Sequence, residues 1–411
     1  MSKYLKYFVV IIILLFSNFI VSTSTLASSS DDMLLLSQTS IESIESIDKE
    51  VIIPKYPEVI TRKVSKKLDS VFNRYNKRYD FHGSILVAKN GNLLFSKEYG
   101  YADFKKKTKV DKYSVFQLAS VSKQFTATAI MILYERGLLN LDDLVTKYYP
   151  NFPYEEVTIT HLLNHTAGLP KYFWLAEHKW EKEKAPTNKE MMQMLADHKV
   201  ERFFRPGRNF DYSNTGYFVL ASIVEKVTNM NYGDFMETNI FEPLQMRNSF
   251  VYSYENDSIG INQLTGYRVY RGRYHIAIGG TVNDAIVGDK NIYATSEDLF
   301  KWVNGLNSGK IISDKSLEMM YTKGETIYGR KVPYGFGFRI NTKNDERVIY
   351  HHGKWNGFST AITQYTDSDL LIIVLEHSSY NSMKNLNSTV RTIVEENFDP
   401  MVSDLAVIDP N

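Results

Sequence analysis

Phe116-Gln117-Leu118-Ala119-Ser120-Val121-Ser122-Lys123-Gln124-Phe125 is the stretch around which the chain is organised. Apolar residues lead into and out of a Ser-x-x-Lys sequence, which marks the start of a buried helix. Three residues is nearly one helical turn, so Ser120 and Lys123 project from one face. A serine hydroxyl is a weak nucleophile at neutral pH and needs a neighbour that takes its proton as it attacks. Lysine does this only when neutral, and burial and nearby positive charge both favour that form. A helix N-terminus beside the serine also offers backbone N–H groups to a developing oxyanion. Alone, the motif is weak, because such pairs also occur on solvated helices.

The sequence has 411 residues, 43% hydrophobic and 13% aromatic, enough for a large core. A formal net charge of +1 and the lack of a long basic run argue against a nucleic-acid partner. Lys3 and Lys6 precede an apolar run over 8–16 that continues through Phe19-Ile20-Val21, and small residues follow to Ala27. This is the pattern of a secretory signal over 1–27, which places the protein outside the cell or in its envelope. Removing it leaves 46 basic and 47 acidic residues, a net charge of −1. The alternative is a retained segment that associates the protein with the membrane. Without cysteine there are no disulfides, no lipid-modified cysteine, no thiol catalysis and no Cys-type zinc site. Residues 28–57 form a flexible linker in which Pro54 and Pro57 break any helix.

After the linker, Val59, Val64, Leu68, Val71, Phe72 and Tyr75 recur at helical spacing. Two strand-like runs, 83–88 and 93–96, flank Asn90-Gly91, a hairpin signal. The helix entered at Ser120 has an apolar body over 127–139, buried nearly all round. The middle is rich in helix signals. His161 and His165, four apart on a short capped helix, have zinc-like spacing but no apparent third ligand, so a structural role is preferred and no metal is expected. Tyr212 and Asn214, two apart in an extended loop, point the same way. A tyrosine hydroxyl can relay a proton, and an asparagine amide can hold a carbonyl or a lysine. Further on, Thr295 or Ser296 caps a helix, and Gly335, Phe336, Gly337 and Phe338 sit in strand-like sequence. Residues 348–353, 360–365 and 370–375 complete a set of strands before a C-terminal helix over 383–396. His351 and His352 face opposite sides of their strand, so one of them can face the cleft, and Gly353 lets a ligand approach the backbone closely.

Ser120-Val121-Ser122-Lys123, Tyr212-Ser213-Asn214 and His351-His352-Gly353, in that order, resemble the serine β-lactamase and penicillin-binding-protein superfamily. The branch is the one with class C β-lactamases, D-alanyl-D-alanine carboxypeptidases, D-aminopeptidases and related esterases. The stretches 161–170 and 288–299 look like it too. The resemblance covers about 58–397 and implies an α+β fold, in which an antiparallel sheet flanked by helices comes from about 58–125 and 285–397. A mostly helical subdomain over about 126–284 sits beside the sheet, and 398–411 is a tail. The resemblance makes Ser120 the acylated nucleophile, Lys123 its base or proton partner and Tyr212 a participant in proton transfer. Asn214 orients Lys123 and substrate, and backbone N–H groups of Ser120 and Lys354 form the oxyanion hole. His351 stands where many relatives carry lysine, a departure that weakens carboxylate binding because histidine is mostly neutral above ~6.5.

These implications converge on an exported serine hydrolase acting through an acyl-enzyme on D-alanyl amides or esters of the cell envelope, or on small esters. A penicillin-binding D,D-carboxypeptidase and a class C-like β-lactamase are the rival enzymes. A non-catalytic ligand-binding or sensor protein is the rival of another class, and it has no need of Lys123. The partner is a small-molecule or cell-wall-derived substrate, and no cofactor is implied.

Overall fold

Apolar runs from both ends of the chain meet in one sheet. The computed structural model describes residues 56–252, 262–277, 281–342, 346–378 and 386–405. The leader read at 1–27, nearly all of the linker and the end of the tail lie outside the described residues. Strands β1 (Gly83–Lys89) and β2 (Asn92–Tyr99) pair across a two-residue turn with φ of 46° at Asn90 and 67° at Gly91. Positive φ at both positions matches the right-handed twist of the flanking strands, and Asn-Gly supplies it at low cost. A small antiparallel sheet has the order β3-β5-β4, from β3 (Phe116–Gln117), β4 (Phe250–Val251) and β5 (Ile292–Ala294). The main sheet adds β6 (Arg339–Asn341), β7 (Val348–Trp355), β8 (Phe358–Tyr365) and β9 (Leu370–Glu376). Its order is β6-β7-β8-β9-β1-β2, antiparallel throughout.

Both β1 and β9 are buried along their whole length, because helices cover both faces. On the outer face, α1 (Glu58–Tyr79) turns Ile60, Val64, Leu68 and Phe72 onto the sheet. Beside it, α5 (Leu386–Leu405) contributes Leu386, Val390 and Val394. On the inner face lie α2 (Ser122–Glu135), α3 (Asn214–Thr228) and α4 (Ser296–Asn307), with the larger core between them. Thr295 is the residue that caps α4, accepting the Asp298 N–H at 3.1 Å.

Three boundaries differ from the expectation. α2 ends at Glu135 rather than near 139, because Gly137 takes φ 69° and turns the chain away. Residues 335–338 are a bend rather than a strand, and Gly337, at φ 83°, presses against α2 where a Cβ would come within 2.8 Å of the Lys123 carbonyl. The C-terminal helix runs on to Leu405, so the first half of the expected tail is helical.

Candidate active site

Ser120 lies in a single 3-10 turn, Ala119–Val121, that runs directly into α2. Ala119, just before it, has φ 49°, a left-handed conformation unusual for alanine and a mark of stored backbone strain. The turn is clamped from two sides. From β7, Gly353 comes so close that a Cβ there would lie 2.2 Å from the Leu118 carbonyl. Only glycine allows that approach, and Thr360 of β8 donates to the same carbonyl at 2.7 Å. From the start of β5, Ile292 accepts the Leu118 N–H at 2.8 Å through its carbonyl and donates its own N–H to Ser122 Oγ at 3.1 Å.

Lys123, one turn on, is fully buried. Its Nζ lies 3.2 Å from Ser120 Oγ, 2.8 Å from Asn214 Oδ1 and 2.8 Å from the Asp289 carbonyl oxygen. Burial lowers its pKa to about 7; the Asp289 charge pulls upward and the Arg339 guanidinium pushes further down. An ordinary lysine is neutral in roughly one molecule in three thousand at pH 7, and burial moves this one far toward the neutral form. Asn214, the first residue of α3, reaches Lys123 because Ser213 caps that helix in an extended conformation.

The Tyr212 ring lies 5.1 Å from Lys123 Nζ. Its hydroxyl is enclosed and makes no hydrogen bond of good geometry with another side chain. Burial pushes the phenol well above the usual tyrosine range, while the neighbouring Ser120 hydroxyl and Arg339 act in the opposite direction. The resting phenol therefore keeps its proton and has it available beside the nucleophile.

His351 is buried on β7 and His352 points outward. Both ring nitrogens of His351 are occupied. Nδ1 lies 2.9 Å from the His352 carbonyl, which can only accept, so Nδ1 carries the proton and Nε2 accepts from Tyr334 Oη at 2.8 Å. Burial, then the Lys123 and Arg339 charges, hold its pKa well below the ordinary value. His351 is thus a fixed neutral strut for Tyr334, not a group that turns toward a substrate carboxylate. Lys354 follows two residues after His352, exposed, with its backbone opposite Ser359 in the β7–β8 ladder.

His161 and His165 are drawn into separate local structure. His161 completes a capping box, its Nδ1 accepting the Thr158 N–H at 3.2 Å. His165 Nδ1 accepts the Ser213 N–H at 3.0 Å, and its ring lies 4.3 Å from the rings of both Tyr212 and Tyr334.

Two groups at the site carried no sequence signal of their own. Tyr334 stands alone in unremarkable sequence, and its partnership with His351 exists only in three dimensions. Arg339 opens β6, and its guanidinium lies over the Tyr212 ring at 4.9 Å and the Tyr334 ring at 6.0 Å. It makes no side-chain hydrogen bond or ion pair among the described residues. A positive charge therefore stands beside His-x-Gly, on the strand paired with β7. Asp289, a third contributor, fell within the family-like stretch 288–299 without being assigned a part.

Residues 68–394 match the family described as Beta-lactamase. Penicillin-binding protein 4* of Bacillus subtilis (strain 168) is 33% identical over 327 residues, 76% of this chain and 71% of the relative. Protein flp of Staphylococcus aureus (strain MW2) is 28% identical over 338 residues, which take in 77% of this chain and 64% of that protein. Among solved structures, an octameric penicillin-binding protein homologue from Pyrococcus abyssi is 28% identical with a TM-score of 0.66, covering 76% of this chain and 73% of that one. The D-amino acid amidase from Ochrobactrum anthropi SV3 shares the fold with a TM-score of 0.65 over 84% of this chain and 99% of that one, at 21% identity. With more than half of its length inside the family match, this chain belongs to the Beta-lactamase family and is a β-lactamase-related serine hydrolase with its α+β fold.

Proposed function

We propose that this hydrolase works through an acyl-enzyme on Ser120, with D-alanyl amides or esters of the cell envelope, or small esters, as substrates. The observation that carries this reading is the fully buried Lys123, its Nζ 3.2 Å from the Ser120 hydroxyl and its pKa lowered by burial. Neutral Lys123 takes the Ser120 proton as Oγ attacks the carbonyl carbon. The negative charge on the carbonyl oxygen meets the backbone N–H groups of Ser120 and Lys354. Collapse of this intermediate expels the leaving amine or alcohol, which receives a proton from Tyr212, itself reprotonated by Lys123. Water then attacks the ester on Ser120 and gives up its proton to the same pair, which returns that proton to Ser120 Oγ as the C–Oγ bond breaks and the acid leaves. Asn214 holds Lys123 in line throughout.

Arg339 favours one second reading, a D,D-carboxypeptidase that recognises peptides ending in a free carboxylate. A guanidinium without a counter-charge among the described residues, lying over Tyr212, suits a carboxylate through charge-assisted paired hydrogen bonds. It also weakens the inference from His351 that carboxylate-bearing substrates are disfavoured. The secretory pattern at the N-terminus supports work outside the cytoplasm. Among the described residues no helix is long and apolar enough to cross a membrane.

Intact-mass measurement after exposure to a penicillin, with Ser120→Ala alongside, tests both readings. A lasting adduct that needs Ser120 supports the carboxypeptidase. Rapid turnover of neutral D-alanyl esters without a lasting adduct supports the esterase or amidase. Turnover retained by Ser120→Ala refutes the acyl-enzyme.

A further inference from the structure

Directly after the carbonyl that holds Lys123 comes a buried ion pair that the steps above do not use. Lys290 and Asp289 are only 3% and 1% exposed. Lys290 Nζ lies 3.3 Å from Asp289 Oδ1 and donates to Tyr172 Oη at 2.6 Å. The Tyr172 hydroxyl in turn donates to Asp289 Oδ2 at 3.0 Å. The ammonium is enclosed by the rings of Tyr172, Phe173 and Trp355, at 5.3, 5.2 and 5.2 Å. Removing both charges from water costs more than their attraction alone returns, so an apolar pair would serve the fold at least as well.

We propose that Asp289 and Lys290 act together as a positioning pair that sets how tightly Lys123 holds its proton. This rests on the reading of Lys123 as the base. The Asp289 backbone fixes the position of Nζ, its carboxylate favours the protonated base, and Lys290 cancels that pull.

The other groups facing Lys123 leave room for this role. His165 is held neutral by burial, with Lys123, His351 and Arg339 opposing its charge. His351 is neutral for similar reasons. Burial keeps Tyr212 and Tyr217 protonated. Arg339, from β6, is a fixed positive charge. Burial lowers the Lys290 pKa while Asp289 and Asp284 support its charge, and Asp284 accepts from Trp355 Nε1 at 2.7 Å and Asn356 Nδ2 at 3.0 Å. Asp289 thus pulls a proton toward Lys123 and Arg339 opposes it, while Lys290, itself opposed by the Lys123 charge, stands against Asp289. Protonating the buried Lys123 is therefore opposed by burial and Arg339 and favoured by Asp289, the condition for a base poised near neutrality.

The test is the pH dependence of Ser120 acylation by p-nitrophenyl butyrate, a neutral ester that makes no demand on Arg339. It is read by intact mass in the full chain and in Lys290→Met, Asp289→Asn and the double variant. Lys290→Met leaves Asp289 uncompensated, and the acidic limb of the profile moves up by about one pH unit. Asp289→Asn keeps the backbone carbonyl but loses the charge, and the limb moves down by a similar amount. The double variant returns close to the parent, and Lys290→Arg leaves the limb in place. A merely structural pair does not give opposite shifts that cancel. A parent limb that stays put in Asp289→Asn, or shifts of one sign in both single variants, overturns the proposal while leaving Lys123 as the base. Asp289→Asn, nearly isosteric, decides the matter alone if Lys290→Met fails to fold. A parent without a limb, still acylated in Lys123→Arg, overturns the reading of the base and this inference with it.

Discussion

The two faces of the main sheet obey different rules. On the outer face, Ile60, Val64, Leu68 and Phe72 of α1 and Val390 and Val394 of α5 meet Ile85, Val87, Ile372 and Val374, and the buried charges of this layer are answered, Lys89 by the Ser368 carbonyl and Glu346 by Arg391. The inner seam, where α2 meets β7, holds Lys123 and His351 fully buried, with Asp289 and Lys290 close behind. It also holds Ala119 in a left-handed conformation and two enclosed polar atoms, Tyr212 Oη and His165 Nε2, without partners of good geometry. Each of these costs folding free energy, and the seam gathers them beside one serine, whereas the outer layer has the enclosed Tyr99 hydroxyl and a buried Glu346 that is paired with Arg391. The contrast teaches that the outer layer supplies the stability which the seam consumes, and that the seam is kept for its chemistry.

Substitutions that separate chemistry from folding break or sharpen this contrast. Ser120→Ala has the largest expected effect, a loss of turnover of roughly ten-thousand-fold with an unchanged fold, checked by steady-state hydrolysis and circular dichroism. An active, folded Ser120→Ala protein would make the seam's strain unrelated to this nucleophile. Lys123→Met comes next, with a rate loss of roughly a thousand-fold. Its effect on stability has the opposite sign. In the folded chain Lys123 releases its proton near pH 7 and in the unfolded chain near 10.5, so between these values the unfolded chain binds more protons and stability rises with pH. Below that window the full penalty of a buried charge remains, on the order of a few kcal/mol. Lys123→Met therefore raises the melting temperature most below pH 7 and progressively less toward pH 10.5. A uniform loss of stability at all pH values would show that Lys123 supports the fold.

The same contrast explains what the sequence made legible. The outer layer follows from periodicity: an amphipathic helix, an Asn-Gly hairpin and continuous apolar strands each declare their structure locally. Leu68→Ala should accordingly cost about 2–5 kcal/mol in denaturant unfolding and leave kcat unchanged. A large fall in kcat would mean that the outer layer shapes the seam as well as supporting it. Within the seam, Ser120, Lys123, Tyr212 and Asn214 were legible because their spacing is local, and the structure places all four around one Nζ or one ring. Tyr334, Arg339 and the role of Asp289 were not, because each acts across strands or loops that one sequence does not align. His351 was legible in place but not in its contacts. Its neutrality was expected from ordinary histidine chemistry, whereas the pairing with Tyr334 depends on a loop that bends at 335–338 instead of continuing as a strand.

Arg339 gives the smallest expected effect and the sharpest test of what the seam recognises. Its guanidinium stands over Tyr212 with no ion-pair partner among the described residues, so a substrate carboxylate placed there gains a charge-assisted contact that no protein group contests. Arg339→Gln should lower kcat/KM for substrates that end in a free carboxylate by about tenfold to a hundredfold, mostly through KM. The same change should leave neutral esters within about threefold, apart from the effect of removing a positive charge near Lys123. That effect is separable, because loss of the guanidinium raises the Lys123 pKa and moves the acidic limb upward for every substrate alike. A carboxylate-specific loss that persists on the pH plateau assigns Arg339 to recognition. A loss shared equally by neutral esters, and abolished on the plateau, would leave it only an electrostatic neighbour of the base. The seam would then carry no carboxylate site, and esters and D-aminoacyl derivatives would stand as its substrates.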